Sequence, residues 1–318
     1  MLMRLIPAVV IGYFAVVTGN APQSNTAPLV AGMTKPALVE IDQALGFGLV
    51  PEPPKFDAAL DTPQRFVTTN GRVVSLPNGC RTVSRPYDML VHFHGAPTAM
   101  EPAFERSDID GVLVILNLGN GSGRYEQPFQ YAGSFDDMLD RATSVVHDLC
   151  PGSNSKPRRI ALSAWSAGYG AISRILDRAK DAARVDAVLL ADGLHANFDP
   201  GPTYERHVSV DQLAPFSNWA DEAVAGKKLF AITHSSIGTT YASTTETADF
   251  LLAQESLERQ AATAPAPRPG MMPIYRADSG DFHVMGFTGV NEQAHCDHLH
   301  AFGDLLLPYL KERWSLPR

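Results

Sequence analysis

Short apolar runs alternate with helical patterns through the middle of the chain. Met89–Phe93, Val112–Leu116, Ile160–Ala164, Ala187–Ala191 and Leu229–Thr233 are near-continuous apolar stretches of strand length, with a looser one at Phe282–Phe287. Runs without an alternating polar face suit strands buried on both sides, as in a parallel sheet. Between several of them apolar residues recur at helical spacing. The clearest case is Ser134–Leu149, where Phe135, Met138, Leu139, Ala142, Val145, Val146 and Leu149 share one face and Ser134 with Asp137 is expected to cap the start. A further helix is expected around Val210–Ala225, and a last one carries Leu299, Phe302, Leu306 and Leu310 on its apolar face. Arg65–Leu76 reads as a hairpin, because Asn70-Gly71 suits a tight primed turn. Strands alternating with helices predict an α/β fold: a mostly parallel central sheet with helices on both faces and an antiparallel edge. Only one helix is expected between Ala196 and Lys227, so no large lid is expected and an open cleft is favoured.

The stretch Arg159–Gly170 organises this pattern. A buried strand ends at a knot of small residues, and a helix with Ala171, Ile172, Ile175, Leu176 and Ala179 in register follows. Strand, sharp turn and helix in that order put Ser166 at the apex, and Ala164 and Gly168 leave its flanks free of bulk. The sequence Ala164-Trp165-Ser166-Ala167-Gly168 resembles the nucleophile elbow of the α/β-hydrolase superfamily, with alanine in place of the usual first glycine. His94-Gly95-Ala96-Pro97, after the run ending at Phe93, resembles the superfamily's His-Gly oxyanion motif. The resemblance spans about residues 64–314. It implies an α/β-hydrolase fold, Ser166 as nucleophile, and an acid and then a histidine further along the chain.

Asp192 fits the acid, since it follows Val188–Ala191 at the mouth of a strand; Glu246 and Asp249 are runners-up in a segment that looks like a helix start. The base is expected in Ala294–His300. With Asp297 taken as N-cap of the last helix, His295 lies in the preceding loop, and His298 lies in the first turn, where the helix dipole disfavours an imidazolium. His295 is therefore preferred and His298 kept as the alternative. Oxyanion donors are assigned to the amides of Ala96 and Ala167, Pro97 having no N–H, with Gly95 allowing close approach. His195 and His234, at strand ends, are expected to line the cleft or to bond behind it, His92 to sit in the core, His300 at the surface, and Trp165 to pack or wall a pocket. The glycine-rich loop Asn117–Gly123 lacks a following Lys-Ser/Thr and reads as substrate-lining. Adjacent residues such as His295, Cys296, Asp297 and His298 rarely converge on one ion, so no metal and no cofactor are expected.

The net charge of -8, without a basic run, argues against a nucleic-acid partner or an anionic membrane surface. Residues 1–21 carry Arg4, an apolar run from Leu5 to Val17 and small or polar residues after it, which reads as a cleaved secretory signal too short to span a membrane. Residues 22–62 then form a linker or arm, and 63–318 the catalytic domain. Export to an oxidising compartment favours a disulfide between Cys80 and Cys150, both in turn-like settings, and leaves Cys296 as a free buried thiol, with a pairing of Cys296 to either of the other two as the alternative. The reading is a secreted or periplasmic serine hydrolase acting on small or polymeric carboxylic esters. A peptidase or amidase with the same triad, a non-catalytic binding module on the same scaffold and a metal-dependent hydrolase stand as alternatives, and the oligomeric state is open.

Overall fold

The computed structural model describes residues 60–68, 72–153, 156–200 and 206–316. The expected signal segment, nearly all of the arm and the Asn70-Gly71 turn lie outside the described residues. Among the described residues there are twelve strands: β1 Gln64–Val67, β2 Val73–Leu76, β3 Tyr87–Phe93, β4 Gly111–Leu116, β5 Pro157–Trp165, β6 Val185–Ala191, β7 Phe198–Asp199, β8 His207–Val208, β9 Leu229–His234, β10 Gln260–Ala261, β11 Pro273–Ser279 and β12 Phe282–Phe287. The main sheet has the order β1-β2-β4-β3-β5-β6-β9-β12-β11-β10, while β7 and β8 form a separate two-stranded ribbon. From β4 to β12 neighbours pair parallel; β2 on β4 and β11 on β12 pair antiparallel. This order, with its second strand reversed, is that of an α/β-hydrolase fold.

Side-chain alternation along the buried strands feeds two separate cores, one on each face. Met89, Val91 and Phe93 of β3 join Val188 and Leu190 of β6 beneath three helices: α2 Ser134–Leu149, α3 Tyr169–Leu176 and α4 Val210–Val224. Leu90, Leu113, Ala187 and Leu189 face the opposite way, against α1 Pro97–Arg106 and the carboxyl-terminal helices α6 Glu292–His300 and α7 Leu307–Ser315. Leu299, Phe302, Leu306 and Leu310 are all buried in that second core, as their spacing predicts. Between β9 and β11 lies α5 Thr244–Gln254. No large lid covers the carboxyl ends of the strands among the described residues; the described part of the segment between β6 and α4 holds only the small ribbon.

Two expectations need correction. The cap of α2 is Gly133, in the left-handed region with φ 90°, and not Ser134, whose hydroxyl turns back to the Tyr131 carbonyl. Asp136 and Asp137 instead sit in the first turn, where the helix dipole favours negative charge. The last helical region begins at Glu292 with Asn291 as N-cap, its side chain accepting from the Ala294 N–H at 2.9 Å; Asp297 lies inside α6. Beyond these two caps, the proline-rich stretch after residue 262 leads into β11, a strand the apolar runs do not reveal. Only Tyr275 and Ala277 of β11 face inward, with Ile274 and Arg276 exposed, so it lacks the continuous apolar run of the central strands.

Cys80 and Cys150 form a disulfide across a sequence separation of 70, tying the segment after β2 to the end of α2; Cys296 is free as expected but only half-buried, where a buried thiol is expected from sequence. No helix among the described residues is long and apolar enough to cross a membrane. Closing a loop of this length restricts the unfolded chain by about 4 kcal/mol. The double variant Cys80→Ser, Cys150→Ser is expected to lose roughly 2–4 kcal/mol of unfolding free energy in a denaturant titration, whereas Cys296→Ser should leave the midpoint nearly unchanged.

Candidate active site

The strand order reverses at β3, which has β4 on one side and β5 on the other. In an open parallel sheet the crevice at such a reversal, at the carboxyl ends of the strands, is where ligands can enter. Three consecutive core strands deliver a residue there with unusual backbone geometry: His94 after β3 (φ 63°), Ser166 after β5 (φ 50°) and Asp192 after β6 (φ 43°). Left-handed backbone costs a residue with a Cβ about 1–2 kcal/mol, so each is held by its surroundings. Two close approaches do the holding. A Cβ on Gly168 would lie 2.1 Å from the Phe93 carbonyl oxygen, and one on Gly193 would lie 2.6 Å from the Ser166 nitrogen. The ends of β3 and β6 are therefore pressed directly against the turn that carries Ser166, which remains half-exposed at its apex.

Asp192 is 1% exposed, yet both oxygens of its carboxylate are hydrogen-bonded. Its Oδ2 accepts from His295 Nδ1 at 2.7 Å; its Oδ1 accepts from the Ser235 N–H at 2.8 Å and from the Thr244 hydroxyl at 2.6 Å. Its own N–H donates to the Thr233 carbonyl at 2.8 Å. Burial alone would push this carboxyl up, but the bond from His295, the neighbouring imidazoles and Thr244 outweigh it and hold the group well below the usual carboxylate range. The His295 imidazole, 23% exposed, spends Nδ1 on this bond, which leaves Nε2 for another partner.

Trp165 joins the elbow to His295. Its indole Nε1 donates to the His295 carbonyl at 2.9 Å, and its ring packs against the imidazole with centroids 4.7 Å apart. The same indole stacks on His94 at 4.9 Å with planes 6° apart. His94 Nδ1 lies 2.8 Å from the Tyr125 hydroxyl, which also accepts from the Leu118 N–H at 2.9 Å, so the glycine-rich loop is fastened to the same cluster. Burial pushes His94, His195 and His234 below the ordinary imidazole range.

The other sequence candidates fall into place around this pair. His298 does not bond to Asp192: its Nδ1 is 2.7 Å from the Thr233 hydroxyl, its ring stands edge-on to Phe287, and burial lowers its pKa to about 4. The register expected from an Asp297 cap does not separate the two histidines, since both lie within α6 and His295 occupies its first turn. What separates them is direction, because residues three apart on a helix are offset by about 60° around its axis. Glu246 completes a capping box with Ser243, and Asp249 pairs with Arg259, so both runner-up acids are engaged elsewhere. Ala96 is the N-cap of α1, Gly95 has φ 130°, and Ala167 lies in the 3-10 turn that leads into α3. His92 is fully buried with Nδ1 on Ser163, His195 bonds the Ala242 carbonyl, His234 bonds Tyr275, and His300 is exposed. Ser235, Thr244 and Tyr125 were not singled out by sequence. Ser235 had a signal, being at a strand end; Thr244 and Tyr125 had none. A cavity of about 350 Å³ lies at the opposite end of the strands, but its charged groups already pair as Arg158–Asp88, Arg85–Asp110 and Lys311–Asp108.

No protein-family model matches the chain, and no curated protein matches it in sequence. Among solved structures it is similar to the esterase Pf2001 of Pyrococcus furiosus at 12% identity, with 91% of this chain and 99% of that one covered and a TM-score of 0.36.

The buried His298 has a consequence for stability. Its pKa is 6.5 in an ordinary setting and about 4 here, so below pH 6.5 the unfolded chain binds the proton that the folded chain refuses. Stability is complete above that range and falls as the pH drops towards 4. The loss from this one group is on the order of 2 kcal/mol at pH 4.5. Denaturant titrations at pH 7.5 and pH 4.5 are expected to show a smaller loss, by about that amount, for His298→Asn than for the parent.

Proposed function

We propose that this protein is a serine hydrolase that cleaves carboxylic esters through an acyl-enzyme. The observation that carries the reading is the buried Asp192–His295 pair, bonded at 2.7 Å, with Trp165 bonding the histidine's backbone from the position next to Ser166. A serine hydroxyl is a weak nucleophile until a base takes its proton, and the base is effective when a carboxylate fixes its tautomer. Ser166 attacks the acyl carbon while His295 Nε2 takes the hydroxyl proton. The imidazolium is stabilised by Asp192 on Nδ1. The developing oxyanion is met by the N–H groups of Ala96 and Ala167, which lie where helices begin and backbone donors lack intrahelical partners. Collapse breaks the bond to the alkoxy oxygen, and His295 returns its proton to the departing alcohol. Water then repeats the cycle on the acyl-enzyme and releases the acid.

The catalytic unit is taken as residues 63–318, following a cleaved segment of residues 1–21 and an arm. The Cys80–Cys150 disulfide supports export to an oxidising compartment, secreted or periplasmic. The partly exposed serine, without a large lid over it among the described residues, suits small or polymeric esters.

Labelling the mature protein with a fluorophosphonate, followed by mass spectrometry, is expected to give a single adduct on Ser166 that is lost in Ser166→Ala. On p-nitrophenyl esters, Ser166→Ala and His295→Ala should each lower kcat by at least about 10⁴-fold, and Asp192→Asn by roughly 10³–10⁴-fold. His298→Asn should retain most of the turnover. A folded parent protein with neither adduct nor turnover would sink the proposal.

A further inference from the structure

The reaction above asks His295 to carry a positive charge for the lifetime of each tetrahedral intermediate. Asp192 meets that charge from the Nδ1 side, within the plane of the ring. The face of the ring meets the Trp165 indole, with centroids 4.7 Å apart and planes 32° apart. A cation within about 6 Å of an indole face is attracted by the ring quadrupole, and tryptophan is the strongest of the aromatic side chains in this respect. The indole N–H is anchored at 2.9 Å to the carbonyl of the same histidine, so ring and backbone of His295 are held by one side chain. On its other contact the indole is stacked against His94, which is fastened through the Tyr125 hydroxyl.

We propose that Trp165 is a positioning residue for the base, fixing the plane of His295 through the indole bond and stabilising its imidazolium through the indole face. The inference rests on the reading of His295 as the base and assigns a task to a residue that sequence alone left as packing or pocket wall. The groups facing His295 make the arrangement coherent. Asp192 comes from the end of β6, with His195 beyond it, His94 from the end of β3 and His298 from the same helix; His94, His195 and His298 each interact with it electrostatically. Burial keeps those three imidazoles uncharged at neutral pH, so the carboxylate and the indole receive the positive charge without a competing cation beside them.

The test uses Trp165→Phe, which keeps a weaker aromatic face and loses the N–H, and Trp165→Leu, which loses both. On a p-nitrophenyl ester, kcat is expected to fall about 10-fold in the first and about 100-fold in the second with KM changed less than threefold, the indole attraction and the carbonyl bond each being worth about a factor of ten. A group that favours the imidazolium makes the base hold its proton more firmly, so its removal moves the acidic limb of the kcat/KM profile to lower pH, by about half to one unit in Trp165→Leu. The same displacement is read without turnover from the His295 Cε1–H resonance in an NMR titration of resting parent and Trp165→Leu. An unchanged resonance titration with unchanged kcat would overturn the inference, as would a change in KM alone, which would make Trp165 a substrate contact. Failure of the hydrolase reading is distinct: the parent itself would then show neither turnover nor labelling, while the resonance titration would still decide what the indole does to the imidazole.

Discussion

A carboxylate taken almost wholly out of water has to be met by donors from every side, and Asp192 sets the terms for the rest of the crevice. Leaving such a charge unanswered would cost about 3–5 kcal/mol. The donors come from the first turn of α6, the backbone after β9 and the start of α5, and the strand end itself is clipped to β9 through Thr233. Three elements that are distant in sequence are thus tied to one atom group. The proposed chemistry rests on the pairing with His295, and the bonds from Ser235 and Thr244 keep the carboxylate oriented for that pairing.

That arrangement depends on close backbone contact between neighbouring strand ends. Parallel strands terminate at similar heights, and their last residues leave the ladder in left-handed geometry at His94, Ser166 and Asp192. Such strain persists where packing over-determines it. The two glycines that touch the turn, Gly168 against Phe93 and Gly193 against Ser166, remove the bulk that would drive the strand ends apart. Two cores, one on each face of the sheet, fix the strands below them. The elbow is therefore a property of the whole sheet: relaxing any of the three strand ends would shift the serine relative to the histidine.

Around the Asp192–His295 pair the protein gathers imidazoles and then keeps them neutral. His94, His195, His234 and His298 all lie at strand ends or on α6, and burial lowers the pKa of each. A neutral ring can stack, accept a hydrogen bond or fill space without opposing a charge on its neighbour. The clustering of histidines at 295, 298 and 300, which on paper resembles a metal-binding run, resolves into one ring on Asp192, one on Thr233 and one exposed. Helical spacing sends them in different directions.

Much of this was legible in the chain. The continuous apolar runs determined the parallel core strands, because a strand covered on both faces has no room for polar residues. The 3.6-residue pattern fixed α2 to its end residues, and small residues flanking Ser166 marked the turn. Strand β11, between β12 and the two-residue edge strand β10, is hidden because only alternate residues of it are buried, and α6 begins ahead of the cap that Asp297 suggests because Asn291, six residues earlier, does that work. Which histidine meets the carboxylate was beyond the sequence. Both candidates stand on one helix within a single turn, and the choice is made by how that helix is rotated against β6 and β9. The same holds for Ser235, Thr244 and Trp165, whose partners lie between 43 and 130 residues away in the chain. Local pattern records what a residue buries, but only tertiary packing sets the direction in which a buried polar group must find its partner.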